Sequence, residues 1–530
     1  MISPSVQKLI TQFQEIKEHE EKIATQPKSS TINTDEVVRK VAAFYERIRK
    51  VVDWREEHLM RRVAIKRILK RRNFLGRGDD AENLIIELIR GGHFPNETIK
   101  KSKIEEVKKI LDKYEVILQT AEMLIEKNKR LFWSEVCDVA SCEIEETLDG
   151  VNHKKMNAMV EFMEDYIGSM IIIGKRATKD CPLTEENKKE FIYIAIQQAL
   201  LNLDEQLIYY NLLKRKNPNW RKELPNENLI REIINVINDY EKITSHRLFN
   251  KFYSVCEQND TPVLIIGDII SASPDQAEDI IYDEESLRKH IRKSYEKRLA
   301  RLKGKTTRSA VYSTISVFLG NLLSLYVIEI PFTLYVMGSL NPLAKILTIV
   351  IPTLMMFVLV VTIRPPSAHN YRLVIDETKK IITGSKDTHE VDLYPNKKIV
   401  FKILVGFFYF VSVCLSILLY GYFLYYFAFP PLSSFLFIAF TALILFAGIK
   451  IRRRARELHI EPPREGFFSI FNDLLSLPII RFGRWLTAYW RRFNIVSITF
   501  NFLIELPFMT FINFIESWRY FIKEKKEDIH

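Results

Sequence analysis

Two carboxylates stand inside otherwise apolar stretches of the second half of the chain, Glu329 and Glu505. Each is followed two residues later by proline, and each has an asparagine on the preceding turns, Asn321 and Asn501. Ionisable and amide groups are costly in hydrocarbon, and where they face other helices they mark ion or proton paths. Glu329, Glu505, Asn321 and Asn501 are therefore the groups on which a transporter or channel component would rely. A helix entering the bilayer near Ala310 carries Glu329 about 28 Å inward. That favours a carboxylate snorkelling at the far surface.

The densest basic segment is Arg61, Arg62, Lys66, Arg67, Lys70, Arg71 and Arg72, interleaved with Leu59, Val63, Ile65, Ile68 and Leu69. A helix of this kind could touch anionic lipid or nucleic acid. The plainer alternative is a solvated face, and no RNA-binding signature or aromatic platform accompanies the cluster. A second basic set, Arg481, Arg484, Arg491 and Arg492, lies among Phe482, Trp485, Leu486, Tyr489 and Phe493. Basic and aromatic faces at helical spacing suit a helix lying in the headgroup plane against anionic lipid.

Other motifs carry less. Gly168–Arg176 encloses five residues between its glycines where a phosphate loop has four, and Arg176 replaces the magnesium-binding hydroxyl. Leu264–Asp268 is a weak echo of the acidic strand that accompanies such loops. Cys137 and Cys142 lack a second pair, and the histidines form no metal-ligand spacing. No Gly-x-Ser-x-Gly elbow occurs. The sequence thus assigns no catalytic, cofactor-binding or metal residue, and no cofactor is expected. A lipid-active enzyme remains a third reading without a nucleophile to carry it.

The elements that must position these groups divide the chain in two. Four apolar runs, Ala310–Leu334, Leu343–Ile363, Ile399–Phe427 and Leu432–Ile449, are each long enough to cross a bilayer. The formal charge of +11 is concentrated at their flanks, on residues 288–308, 364–398 and 450–456. The loop between the third and fourth runs is bare of charge. This alternation predicts cytoplasmic N- and C-termini and a cytoplasmic 364–398 link. Residues 1–24 have no apolar core of a secretory signal.

The expected fold is mainly α. A flexible segment 1–34 precedes a large helical cytoplasmic domain over 35–309. A four-helix transmembrane region follows as two hairpins, 310–363 and 399–450, with a small β insertion at 364–398. Within that insertion, Tyr371–Ile375, Lys379–Thr383 and Glu390–Leu393 alternate or are β-branched, which predicts strands. Residues 451–530 read as basic amphipathic, interfacial helices. Whether 494–523 crosses, re-enters or lies on the membrane is left open by its flanking charges.

Arg55–Arg72, Ala81–Asn96, Ile194–Tyr210 with Pro218-Asn219-Trp220, and Pro478–Glu527 resemble a family of multi-pass membrane proteins from small-genome candidate-phyla bacteria, to which no activity attaches. The likeness extends over nearly the whole chain. It implies a bacterial inner-membrane address and nothing about catalysis. Together these observations predict a membrane-anchored interaction or scaffold protein. Its partners would be the bilayer, anionic lipids, and a protein or second copy of the chain, with nucleic acid a weaker expectation.

Overall fold

The computed structural model describes residues 2–24, 31–32, 57–74, 81–95, 97–124, 129–174, 184–223, 226–332, 334–335, 342–361, 366, 368–385, 389–391, 399–455, 458–460, 479–483 and 485, with isolated positions 510, 514, 518 and 521. It is mainly α-helical; the strands among the described residues are two of three residues each. The described residues fall into two units. A helical unit takes in those up to Tyr295 and those of His369–Leu393. A second, apolar unit takes in those of Glu296–Ala368 and from Tyr394 onward.

The helical unit runs α1 Pro4–Ala24, α2 Glu57–Phe74, α3 Ala81–Arg90, α4 Ser102–Leu124, α5 Lys129–Leu148, α6 Gly150–Met170, β1 Ile171–Ile173, α7 Glu185–Ala199, α8 Glu205–Lys216, α9 Glu227–Ser245, α10 Phe249–Ala272 and α11 Ala277–Tyr282. Local chemistry sets several boundaries. Thr184 caps α7 by accepting from the Asn187 N–H at 3.2 Å, and Asn226 caps α9 by accepting from Leu229 at 3.0 Å. Gly92, at φ 74°, turns the chain out of α3 in the left-handed conformation that glycine adopts without strain. Asn202, at φ 51°, separates α7 from α8, where the sequence reads as one helix over 184–216. Pro262 lies inside α10, and the apolar run around it is a buried helix segment.

α5 sits among α2, α4 and α8, while α6 packs on α1, α7 and α10. α9 shows the governing pattern. Leu229, Ile230, Ile233, Val236, Ile237, Tyr240 and Ile243 recur at three- and four-residue spacing, and all are buried.

Two expectations are corrected here. The N-terminal segment is helix: Val6, Leu9, Ile10, Phe13 and Ile16 fall on one stripe of α1 and are buried against the unit. Among its described residues, the link after the second apolar run is also mostly helix, α14 Ala368–Thr383. Asn370, Val374, Thr378, Ile381 and Ile382 are its buried residues, spaced for one helical face. Ser3 donates its N–H to the Ile382 carbonyl at 2.9 Å, and Lys379 pairs with Glu284 at 2.6 Å. Burial of that face outweighs the β-branched composition on which the strand reading rests. Among the described residues of the link, β2, His389–Val391, is the extended piece, and it pairs in parallel with β1.

The apolar unit is threaded by α12 Glu284–Ser324, whose first residues belong to the helical unit, and by α13 Pro342–Val361, α15 Ile399–Tyr426 and α16 Pro431–Ala455. Three stretches, Pro342–Leu359, Gly406–Tyr426 and Pro431–Gly448, are long and apolar enough to cross a membrane. The first expected span, Ala310–Leu334, differs. Its apolar helical part, Val317–Phe332, is shorter, and it passes through a π-helical turn at Leu325–Glu329 before Pro331. A π turn of this kind inserts a residue into the helical ladder and often marks a functional position.

Candidate functional site

In the helical unit the candidate groups converge on α5, whose sequence carries Glu135, Asp138, Glu143, Glu145 and Glu146. Basic residues of α2 pair with acids of α5 and of its neighbouring elements. Arg62, only 4% exposed, donates to Asp204 at 2.5 Å and lies 4.0 Å from Glu145. Lys66 pairs with Asp138, Arg61 with Asp149 and Arg71 with Glu87. Lys70 donates to Ser134 at 3.0 Å, and Arg67 is half-buried. Arg61, Arg62, Lys66 and Arg71 of the cluster expected to meet lipid or nucleic acid thus pair with acids of their own chain.

Deeper in the same unit lies a set that the sequence does not single out. Lys113 of α4 donates to both Glu143 oxygens at 2.7 Å and to the Trp220 carbonyl at 3.2 Å. Tyr114 and the Trp220 indole N–H also donate to Glu143, at 2.7 and 3.1 Å. Burial lowers the Lys113 ammonium from its ordinary value, with the Glu143 charge opposing, and burial raises the Tyr114 phenol. A buried carboxylate with four donor contacts, three of them on Oε2, is held as a structural ion. A glutamate within the apolar run of α5 is the available signal.

Cys137 and Cys142 are inert by the same logic. Burial pushes the Cys137 and Cys142 thiols up to about 12, so neither is a thiolate at neutral pH. Among the described residues no group of His, Cys, Asp and Glu is arranged to hold a metal ion. The phosphate-loop echo is overturned. Gly168 lies in α6 and Ile171–Ile173 is the strand, so helix precedes strand, the reverse of the order that cradles phosphate. Leu264–Asp268 is helical, and Asp268 accepts from Ser294 at 2.5 Å.

The apolar unit holds the second set. Glu329 is 1% exposed and accepts a hydrogen bond from Ser433 of α16, so the surface carboxylate expected from distance along the helix is instead enclosed by protein. Asn321 is 2% exposed on α12, and neither its amide nitrogen nor its oxygen has a partner. Lys345 of α13 and Thr441 of α16 are also buried, with Nζ and Oγ1 unpartnered. Arg481 is exposed and stacks over the Tyr409 ring at 4.3 Å. Beside it, Ile480 is buried, and Gly483 approaches the Ala442 carbonyl so closely that no side chain would fit. Arg484, Arg491, Arg492, Asn501 and Glu505 lie outside the described residues.

No family model, no curated protein and no solved structure matches this chain.

Proposed function

We propose that the protein is a multi-pass protein of the bacterial inner membrane whose helical unit is held at the cytoplasmic face as an interaction or scaffold module. The observation that supports this most is α12. It carries an exposed basic stretch, with Lys297, Arg301, Lys303 and Arg308, directly into the apolar Val317–Phe332 segment without a break in the helical path. Juxtamembrane lysine and arginine are attracted to anionic lipid by about 1 kcal/mol each, and they favour the cytoplasmic side. On this reading anionic lipids meet the α12 flank and the Arg481 region, and α2 serves the interior of its own unit. The partner is a protein or a second copy of the chain.

Cysteine accessibility from the two membrane faces, combined with photo-crosslinking from exposed positions of the helical unit such as Glu186 and Gln258, tests the proposal. Labelling of these positions from the cytoplasmic side and adducts with a discrete protein are expected. Labelling from outside intact cells would overturn it, as would adducts from the apolar unit alone.

A second reading, a transporter or channel component, is favoured by one specific observation: the enclosed Glu329 bonded to Ser433.

A further inference from the structure

Helix register brings the polar groups of the apolar unit into two layers. α13 and α16 run in parallel. Met356 packs on Ile444, and a side chain at Gly448 would meet Leu359 at 2.7 Å, an offset of 88 to 89 residues at both places. The same offset sets Lys345 beside Ser433 and Thr353 beside Thr441. Val317 of α12 packs on the Met356–Ile444 pair, and Glu329 accepts from Ser433, so α12 runs antiparallel to the other two. Asn321 is then level with Thr353 and Thr441, and Glu329 is level with Lys345 and Ser433. On each helix the two polar positions are eight residues apart, which is about 12 Å. Ser324, whose hydroxyl is buried and unpartnered, lies between the layers.

Three of these groups, Asn321, Lys345 and Thr441, are more than nine-tenths buried and carry polar atoms without a partner. Each such group is destabilising if left dry. Internal water relieves that cost where several polar groups converge. Lys345 offers three donors and no acceptor, and the carboxylate in its own layer is not its hydrogen-bond partner.

We propose that this seam holds a chain of internal water that joins the Glu329–Lys345 layer to the Asn321–Thr441 layer and passes protons along it. Each water hands one proton on and takes one from behind, so one O–H bond forms for each that breaks and no side chain changes its net charge. The inference rests on the transport reading, for which it names the species moved, and it is independent of the scaffold reading.

The test uses the full chain in vesicles of phosphatidylcholine with phosphatidylglycerol, a trapped pH dye and a potassium diffusion potential. Proton entry above that of empty vesicles is expected. Glu329→Gln and Lys345→Met lower it at least ten-fold, and Asn321→Leu lowers it several-fold. Tyr326→Phe, at an exposed position of the π turn, leaves it unchanged. Asn321→Leu conserves volume and removes no charge, so it keeps the test open if a charge variant fails to fold. Absence of proton entry in the native chain overturns both the seam and the transport reading. Proton entry that survives all three seam variants overturns the seam alone.

Discussion

The two units treat buried polarity in opposite ways. In the helical unit, buried ions meet partners: Glu143 collects Lys113, Tyr114 and Trp220, and Arg62 meets Asp204. Where a nitrogen is left over there, as on Arg62 or Gln197, another atom of the same side chain is bonded. In the apolar unit, Asn321, Lys345 and Thr441 are buried with polar atoms that have no protein partner. The first arrangement fixes one packing, since removing a partner strands a charge. The second leaves polar atoms for which internal water is the proposed partner. Polarity in the helical unit is therefore structural, and in the apolar unit it is what the proposed seam rests on.

The contrast can be broken most directly at Lys113. Lys113→Met leaves Glu143 buried without its cation and is expected to lower stability by about 3–5 kcal/mol. The measurement is denaturant unfolding of the detergent-solubilised chain, followed through Trp220 fluorescence. Adding Glu143→Leu to the same chain should recover most of the loss, because an apolar pair of similar volume leaves no charge behind. If the single variant is neutral, the network is not structural.

Packing in the apolar unit gives the next largest effect. Gly483→Ala drives a methyl group into the Ala442 carbonyl, and the expected loss is about 1–3 kcal/mol in thermal melting. Gly448→Ala should cost less, because the group it meets is the far end of the Leu359 side chain, which can rotate away. Equal losses at the two positions would show that the 479–483 segment does not dock on α16.

Asn321→Leu carries the opposite sign to Lys113→Met. Replacing an unpartnered buried amide by an apolar side chain of similar volume should raise melting stability by about 1 kcal/mol. The same change is expected to slow proton entry, the trade of stability against activity that functional sites show. A loss of stability at this position would mean that the amide has a structural partner.

The smallest effect is at Glu135. Burial, with the nearby charges of Asp138 and Glu241, pushes this carboxyl up to about 6, against an ordinary value of 4.5. The folded state therefore holds the proton more tightly than the unfolded chain. Its contribution to stability is fully present below pH 4.5 and is lost as pH rises through 6. Glu135→Gln removes that loss. It should stabilise the helical unit by about 1 kcal/mol at about pH 7 and by nothing near pH 4, measured as the difference in unfolding midpoint across that range.

What can be seen in the sequence follows the range of the interactions involved. The membrane-length helices are visible as long apolar runs because hydropathy is a property of each segment alone. The caps at Thr184 and Asn226 and the turn at Gly92 are local in the same sense. The 184–216 stretch reads as one helix because Leu200–Asp204 holds neither proline nor glycine. Asn202 makes the break by adopting a left-handed backbone. Tyr371–Ile375 and Lys379–Thr383 read as strands because residues such as Ile381, Ile382 and Thr383 are β-branched, and only burial against the helical unit selects helix.

The residues of the candidate sites are legible as types and not as partners. Sequence alone determined that Glu329 and Asn321 sit in apolar surroundings and that α2 is densely basic. It could not tell that α2 lies along the acidic α5, nor that Lys345 shares a layer with Glu329. Those pairings join α2 to a helix many turns further along the chain, and α12 to α13 and α16 across intervening loops. They depend on helix direction and register, which are set by side-chain packing between segments and leave no trace in either segment on its own.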